Sequence, residues 1–177
     1  MANHRPLPVD PIAEARRQWR AHGWDHAADG MAAVTSVMRA HQLMLARIDE
    51  VLRPHELTFA RYEMLRLLGF TRHGRLPMAS ATARLQVHPA SVTNTVKRLE
   101  ADGLVRREPH PTDGRATILV LTDAGRDRME AATVSLNDVF ADLGLKDDET
   151  TTLVRTLAAF RQRSGDFAAP RPQPDPL

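Results

Sequence analysis

LQVHPASVTNTVKRLEADGLVRREPHPTDGRATILVLT, residues Leu85 to Thr122, reads as a single device made of a helix and a hairpin. Pro89 has a φ preset for a helix's first turn, where its missing N–H costs nothing, and Gly103 suits the position just past the helix's end. Between them Val92, Val96 and Leu99 recur at helical spacing and can face a core. Ser91, Asn94, Lys97 and Arg98 then fall on the opposite, outward side. After Gly103, Leu104–Glu108 and Ala116–Leu121 are two strand-like runs rich in Val, Ile, Leu and Thr. The loop His110-Pro111-Thr112-Asp113-Gly114-Arg115 joins them.

A basic helix of this length has the calibre of the DNA major groove, where Arg, Lys, Asn and Ser hydrogen-bond base edges. A hairpin beside it with Arg115 at its tip can reach phosphates or a minor groove. Any one of Lys97, Arg98, Arg106, Arg107 and Arg115 could equally be a solvated surface charge. Together, and with Met78–Leu85 as a shorter helix upstream, they favour a winged helix-turn-helix. Base readout is expected from Ser91, Thr93, Asn94, Lys97 and Arg98, with Arg107 and Arg115 adding backbone or minor-groove contacts.

The segment resembles the MarR family of winged-helix transcription regulators. The family's wing pattern stands here as Asp113, Arg115, Leu121, Thr122 and Gly125, and Leu99–Arg107 is similar to its helix-to-strand junction. The resemblance extends over roughly Met31 to Arg163. It implies a mainly α fold with a small β-hairpin wing, a winged helix-turn-helix plus N- and C-terminal dimerisation helices. It implies that Asp113 pairs with a nearby arginine and that Arg115 enters the minor groove. The function it implies is sequence-specific binding of double-stranded DNA by a homodimer at a near-palindromic operator, with repression of transcription and release by a small-molecule effector.

Composition narrows the alternatives. At 177 residues the chain can bury a core without staples, and it has no cysteine, which removes disulfides, thiolate metal sites and thiol redox sensing. It contains no apolar run long enough to span a bilayer and no apolar signal core at its N-terminus, so a soluble cytoplasmic protein is expected. The net charge is only +2, but Arg53–Arg115 carries eleven Lys and Arg against six Asp and Glu, whereas Asp123–Asp166 carries six against nine. The basic half contains the reading helix, as phosphate neutralisation requires. No glycine-rich phosphate loop, nucleophile elbow, HExxH or cysteine nucleophile is present, so no catalytic residue and no cofactor is assigned. The competing class is a winged helix used for protein assembly or nonspecific DNA packaging.

Along the chain, residues 1–11 hold Pro6, Pro8 and Pro11 and are expected to be a flexible N-terminus; 167–177 form a proline-rich flexible tail. Residues 12–52 and 123–166 are read as the dimerisation helices, and 53–122 as the DNA-binding domain. Ile12–His22 is expected as a short helix carrying Ile12, Ala15 and Trp19 on one side. Met31–Leu52 shows the clearest periodicity: Met31, Val34, Met38, His41, Leu45, Ile48 and Leu52 form a heptad seam that wants another helix. Met129–Leu143 and Leu153–Phe160 supply two further apolar helices. Thr58 is expected to cap a helix over Phe59–Phe70 and Thr122 one running to about Leu143, with Thr71–Pro77 as a basic loop.

An effector is expected in the cleft between the dimer helices and the reading unit, near Trp19, His41 and Tyr62. Trp19 has the alternative role of covering the dimer core, and His41 that of an interface hydrogen bond. The extra N-terminal helix and its tryptophan are similar to the urate-responsive branch of the family, and Glu63 matches the acid of that branch. Thr95 stands where its reading helix has arginine, so urate is not carried over. His22 and His26 have a spacing that can share a metal on one helix, but Gly23 interrupts it and no metal is assigned.

Overall fold

The computed structural model describes residues 7–85, 89–113 and 116–168. The chain divides into two compact units, Met1–Arg47 and Ile48–Leu177, each treated by itself below.

In the first unit, α1 (Pro11–Ala21) opens where the Asp10 carboxylate accepts the Ile12 N–H at 2.9 Å, with Pro11 in the first turn. Arg17, and then Gln18, hydrogen-bond Glu14 and hold its carboxyl at about 2. Helix α2 (Asp25–Leu52) begins ahead of Met31, the start of the seam. An apolar stripe reports which face of a helix wants burial, not where the helix starts. Arg16 and Arg20 both reach Asp29, at 2.7 and 3.0 Å, and tie α1 to the first turns of α2. Trp19 meets Trp24 edge to face with ring centroids 5.4 Å apart. Val34 and Met38 of the seam are each 60% exposed.

The second unit starts with the last turn of α2, whose Ile48 and Leu52 enter its core. A short 3-10 turn (Arg53–His55) leads to α3 (Phe59–Gly69), with Thr58 as N-cap. Then come β1 (Arg75–Pro77), α4 (Met78–Leu85), α5 (Pro89–Ala101), β2 (Val105–Pro109), β3 (Thr117–Leu121), α6 (Asp123–Ala141) and α7 (Asp147–Arg163). The sheet is antiparallel in the order β1-β3-β2, so the hairpin gains a third strand from the end of the expected basic loop. Three residues are too few to display alternation in sequence, and what defines β1 is its pairing of Leu76 opposite Leu119. Both edge strands end in proline, at Pro77 and Pro109, while the central β3 has none.

The core gathers Met64, Leu65 and Leu68 of α3, Val92, Val96 and Leu99 of α5, Leu119 and Leu121 of β3, and Met129 and Leu136 of α6. The Tyr62 hydroxyl bonds Thr133 Oγ1 at 3.1 Å, joining α3 to α6. Helix α6 ends at Ala141, short of Leu143, because Asp142 leaves helical geometry and its carboxylate accepts the Gly144 N–H at 3.2 Å. Glu149 accepts the Lys146 N–H at 2.9 Å at the head of α7, where Asp147 and Asp148 also face the positive end of the helix dipole. Helix α7 buries no residue, and its Val154 and Phe160 are 63% and 62% exposed.

The wing is fastened to the helices at one junction. Gly103, at φ +70°, ends α5 in a Schellman turn in which Leu104 N–H reaches Leu99 C=O at 2.9 Å and Gly103 N–H reaches Glu100 C=O at 3.0 Å. Thr122 then donates its hydroxyl to Gly103 C=O at 2.8 Å and accepts the Gly125 N–H at 3.0 Å, capping α6. Gly125 packs so closely that a Cβ there would stand 2.1 Å from the Leu104 carbonyl oxygen. Gly125→Ala must therefore push backbone apart. We expect a loss of about 3 kcal/mol or more, at the upper end of overpacking costs, read as a fall in the thermal midpoint by calorimetry; an unchanged midpoint would contradict the close approach.

Candidate nucleic-acid interface

Helix α5 has two faces set by its spacing. Val92, Val96 and Leu99 are buried to 1% exposure or less, which fixes the helix's rotation about its axis. Ser91, Asn94, Lys97 and Arg98 are in consequence exposed, and Thr93 is partly buried at the side. Ser91, Asn94 and Arg98 are spaced three and four apart and form one stripe. Among the described residues neither Lys97 nor Arg98 meets an acid within ion-pair distance. Their charge is available to a polyanion.

The hairpin is electrostatically linked to this helix. Arg107 of β2 pairs with Glu100 of α5 at 3.1 Å, so its guanidinium is held beside the end of the reading helix. Glu108 takes two arginines, Arg106 on its own strand and Arg75 on β1, across the intervening β3. By register Arg75 and Arg106 both oppose Val120, and Glu108 opposes Ile118. Ile118 and Val120 lie on the sheet face away from Leu119 and Leu121, yet are only 9% and 5% exposed. The long stems of the three charged residues account for that cover. Neither Glu100 nor Glu108 is evident as a wing partner from sequence, although Arg106 and Glu108, two apart on a strand, carried the signal for one pair.

Asp113 is exposed at the base of the loop, where its carbonyl accepts the Ala116 N–H at 3.0 Å. With Thr93, Met78 and Thr117 it lines a cleft between the wing and the helix-turn-helix. The pairing expected of Asp113 concerns a loop whose Arg115 and Gly114 lie outside the described residues, as do Gln86, Val87 and His88 of the turn. The minor-groove role expected of Arg115 therefore falls on a residue outside the described ones.

Of the three residues expected at an effector site, Tyr62 lines a cavity of about 590 Å³ in the second unit. Trp19 and His41 belong to the first unit, where Trp19 packs on Trp24 and His41 is exposed. His22 closes α1, with its Nδ1 2.8 Å from Gln18 C=O, and its ring stacks on Trp24, while His26 lies in α2. Among the described residues no cluster of metal-ligating side chains occurs.

A helix-turn-helix with an outward polar and basic second helix, followed by a hairpin that pairs with the preceding β1, defines the winged helix-turn-helix class. The sequence model of the MarR family matches residues 55–116. The chain is 46% identical to Sco5413, a MarR family transcriptional regulator from Streptomyces coelicolor. That structure aligns over 80% of this chain and 99% of its own length with a TM-score of 0.72. The HTH-type transcriptional regulator YdgJ of Bacillus subtilis is 28% identical over 112 residues, 62% of this chain and 67% of that protein. The fold is shared with Sco3205, a MarR family regulator from Streptomyces coelicolor solved in complex with DNA. There the identity is 22%, the TM-score 0.66, and the coverage 81% of this chain and 90% of that one. The chain belongs to the MarR family, and is a transcription regulator rather than an enzyme. No helix among the described residues is long and apolar enough to cross a membrane.

The ion-pair pattern makes Glu108 a brake on the wing's positive field. Glu108→Gln should free Arg75 and Arg106, raise affinity for nonspecific duplex DNA, and steepen the slope of log affinity against log salt by about 1. Weaker binding in a salt titration would mean instead that Glu108 serves to hold the wing's shape.

Proposed function

We propose that this regulator binds a near-palindromic double-stranded operator as a homodimer, represses by occluding transcription, and is released by a small-molecule effector. The observation that carries the reading is the exposed Ser91–Asn94–Arg98 stripe backed by Val92, Val96 and Leu99, because a rigidly backed polar helix can hold side chains against base edges. Ser91, Thr93 and Asn94 sit nearest the helix N-terminus and take base contacts, with Lys97 and Arg98 reaching bases or phosphates. Arg107, Asp113 and Arg115 orient the wing and reach the backbone or minor groove.

Dimerisation is supported by exposed apolar side chains in each of the two units. Val34 and Met38 on α2, and Val154 and Phe160 on α7, are all at least 60% exposed. Exposed apolar side chains on these helices suit a two-fold interface, and a two-fold protein reads a palindrome. Light scattering at micromolar concentration should return about twice the 19.7 kDa chain mass, and Met38→Glu should lower it toward one. A wild-type monomer would end the homodimer reading.

The operator is tested by selecting random duplexes on the purified protein and comparing the winners with scrambled DNA at physiological salt. We expect a palindrome bound at least about a thousandfold more tightly than scrambled DNA. Asn94→Ala should alter the selected sequence while leaving the salt slope unchanged, since base contacts and phosphate contacts differ in that way. Equal binding to all duplexes would favour a packaging or assembly module, and an unaltered profile would remove Asn94 from base readout.

A further inference from the structure

The cavity at Tyr62 lies between α3 and α6, and its chemistry is unbalanced. Phe59, Phe70 and Phe140 give it aromatic walls, and its volume of about 590 Å³ suits a small organic ligand. Its polar groups sort by what they have left to offer. The single hydroxyl proton of Thr133 goes to Met129 C=O at 2.7 Å, so at 3.1 Å the Tyr62 hydroxyl is the donor to Thr133 Oγ1. The Tyr62 oxygen therefore remains an acceptor. Arg66, the cavity's cation, is engaged: its guanidinium lies 4.3 Å from the Phe70 ring centroid and reaches Met129 Sδ at 3.9 Å. Glu63, one turn earlier on α3, has no hydrogen bond or ion pair among the described residues, and it does not pair with Arg66.

From this inventory we infer that the cavity takes a compact aromatic or hydrophobic amine, its protonated nitrogen bonded to the Glu63 carboxylate and the Tyr62 oxygen, its body against Phe59, Phe70 and Phe140. Asn137 adds an amide that both donates and accepts, so the Glu63 carboxylate, the Tyr62 oxygen and the Asn137 oxygen give the site three acceptors, and a cationic donor satisfies acceptors with charge-assisted bonds. The aromatic faces add cation–π attraction to the same charge. A carboxylate ligand would meet Glu63 with like charge, whereas the charge of Arg66 already lies against the Phe70 ring. Desolvation by its neighbours raises the Glu63 carboxyl above its ordinary value, and an ammonium beside it reverses that effect.

The inference rests on the reading that the regulator has an effector, and names its chemical class and the residue that recognises it. The test is calorimetric titration of the full chain with three matched probes: 2-naphthylmethylammonium, 2-naphthylmethanol and 2-naphthoate. The ammonium should bind at least about tenfold more tightly than the alcohol, and the naphthoate most weakly. Glu63→Gln should reduce the preference for ammonium over alcohol to less than about threefold while sparing the alcohol. That variant should fold, since a raised carboxyl value means the ionised side chain opposes folding above its unfolded-state value, and the neutral amide removes the opposition. Tightest binding of naphthoate, an ammonium preference that survives Glu63→Gln, or no binding of any probe would overturn the inference. Operator affinity measured with the ammonium at saturation separates the two claims. Binding as expected with no change in operator affinity leaves the ligand class standing and ends the effector reading. Operator release by another compound, with no amine bound, does the reverse.

Discussion

The approach of Gly125 to the Leu104 carbonyl, tied on one side by the two hydrogen bonds of the Thr122 hydroxyl, is the constraint on which the reading unit depends. It joins the end of α5, the start of β2, the end of β3 and the start of α6 within a few residues. A Schellman turn at Gly103 sets the direction in which the chain leaves the reading helix. Thr122 returns the chain to that same turn and starts α6, so wing and reading helix share one anchor. The glycine in the family's wing pattern thus has a steric reason: no side chain fits against that carbonyl.

With the anchor fixed, electrostatics divide the work. Among the described residues, α5 presents Lys97 and Arg98 without acidic neighbours in ion-pair reach, while Arg107 is held by Glu100 and both Arg75 and Arg106 by Glu108. A held arginine loses less side-chain freedom when it meets a phosphate, but contributes less net charge. The helix therefore carries the freer charges, and the described strands carry the more restrained arginines.

Much of this was legible in sequence because local rules and global fold agree there. Pro89 and Gly103 bound α5, Thr58 and Thr122 cap their helices as expected, and Val92, Val96 and Leu99 point to the core. Agreement failed where structure is set by partners distant in the chain. Strand β1 exists through its pairing with β3, and its three residues carry no period of their own. The close approach at Gly125 and the Glu108 bridge over β3 join segments whose proximity only folding creates. The cavity beside Tyr62 was approachable only as a region, since which polar groups retain bonding capacity depends on contacts such as Thr133 to Met129. In α2 the apolar stripe missed the start, because Asp25–Gly30 is helical without contributing to the stripe, and of its members Ile48 and Leu52 are the ones buried in the chain.

The prolines that end both edge strands have a consequence for the protein in a crowded setting. An exposed hairpin is a template on which another chain can add a strand, and a protein that gathers at DNA is locally concentrated. Here β2 offers its outer edge as Val-Arg-Arg-Glu-Pro and β1 as Arg-Leu-Pro, edges broken by charge and by an imino nitrogen that cannot donate. The sheet stays three strands wide, guarded against self-polymerisation by the same short segments that carry Arg75, Arg106 and Arg107.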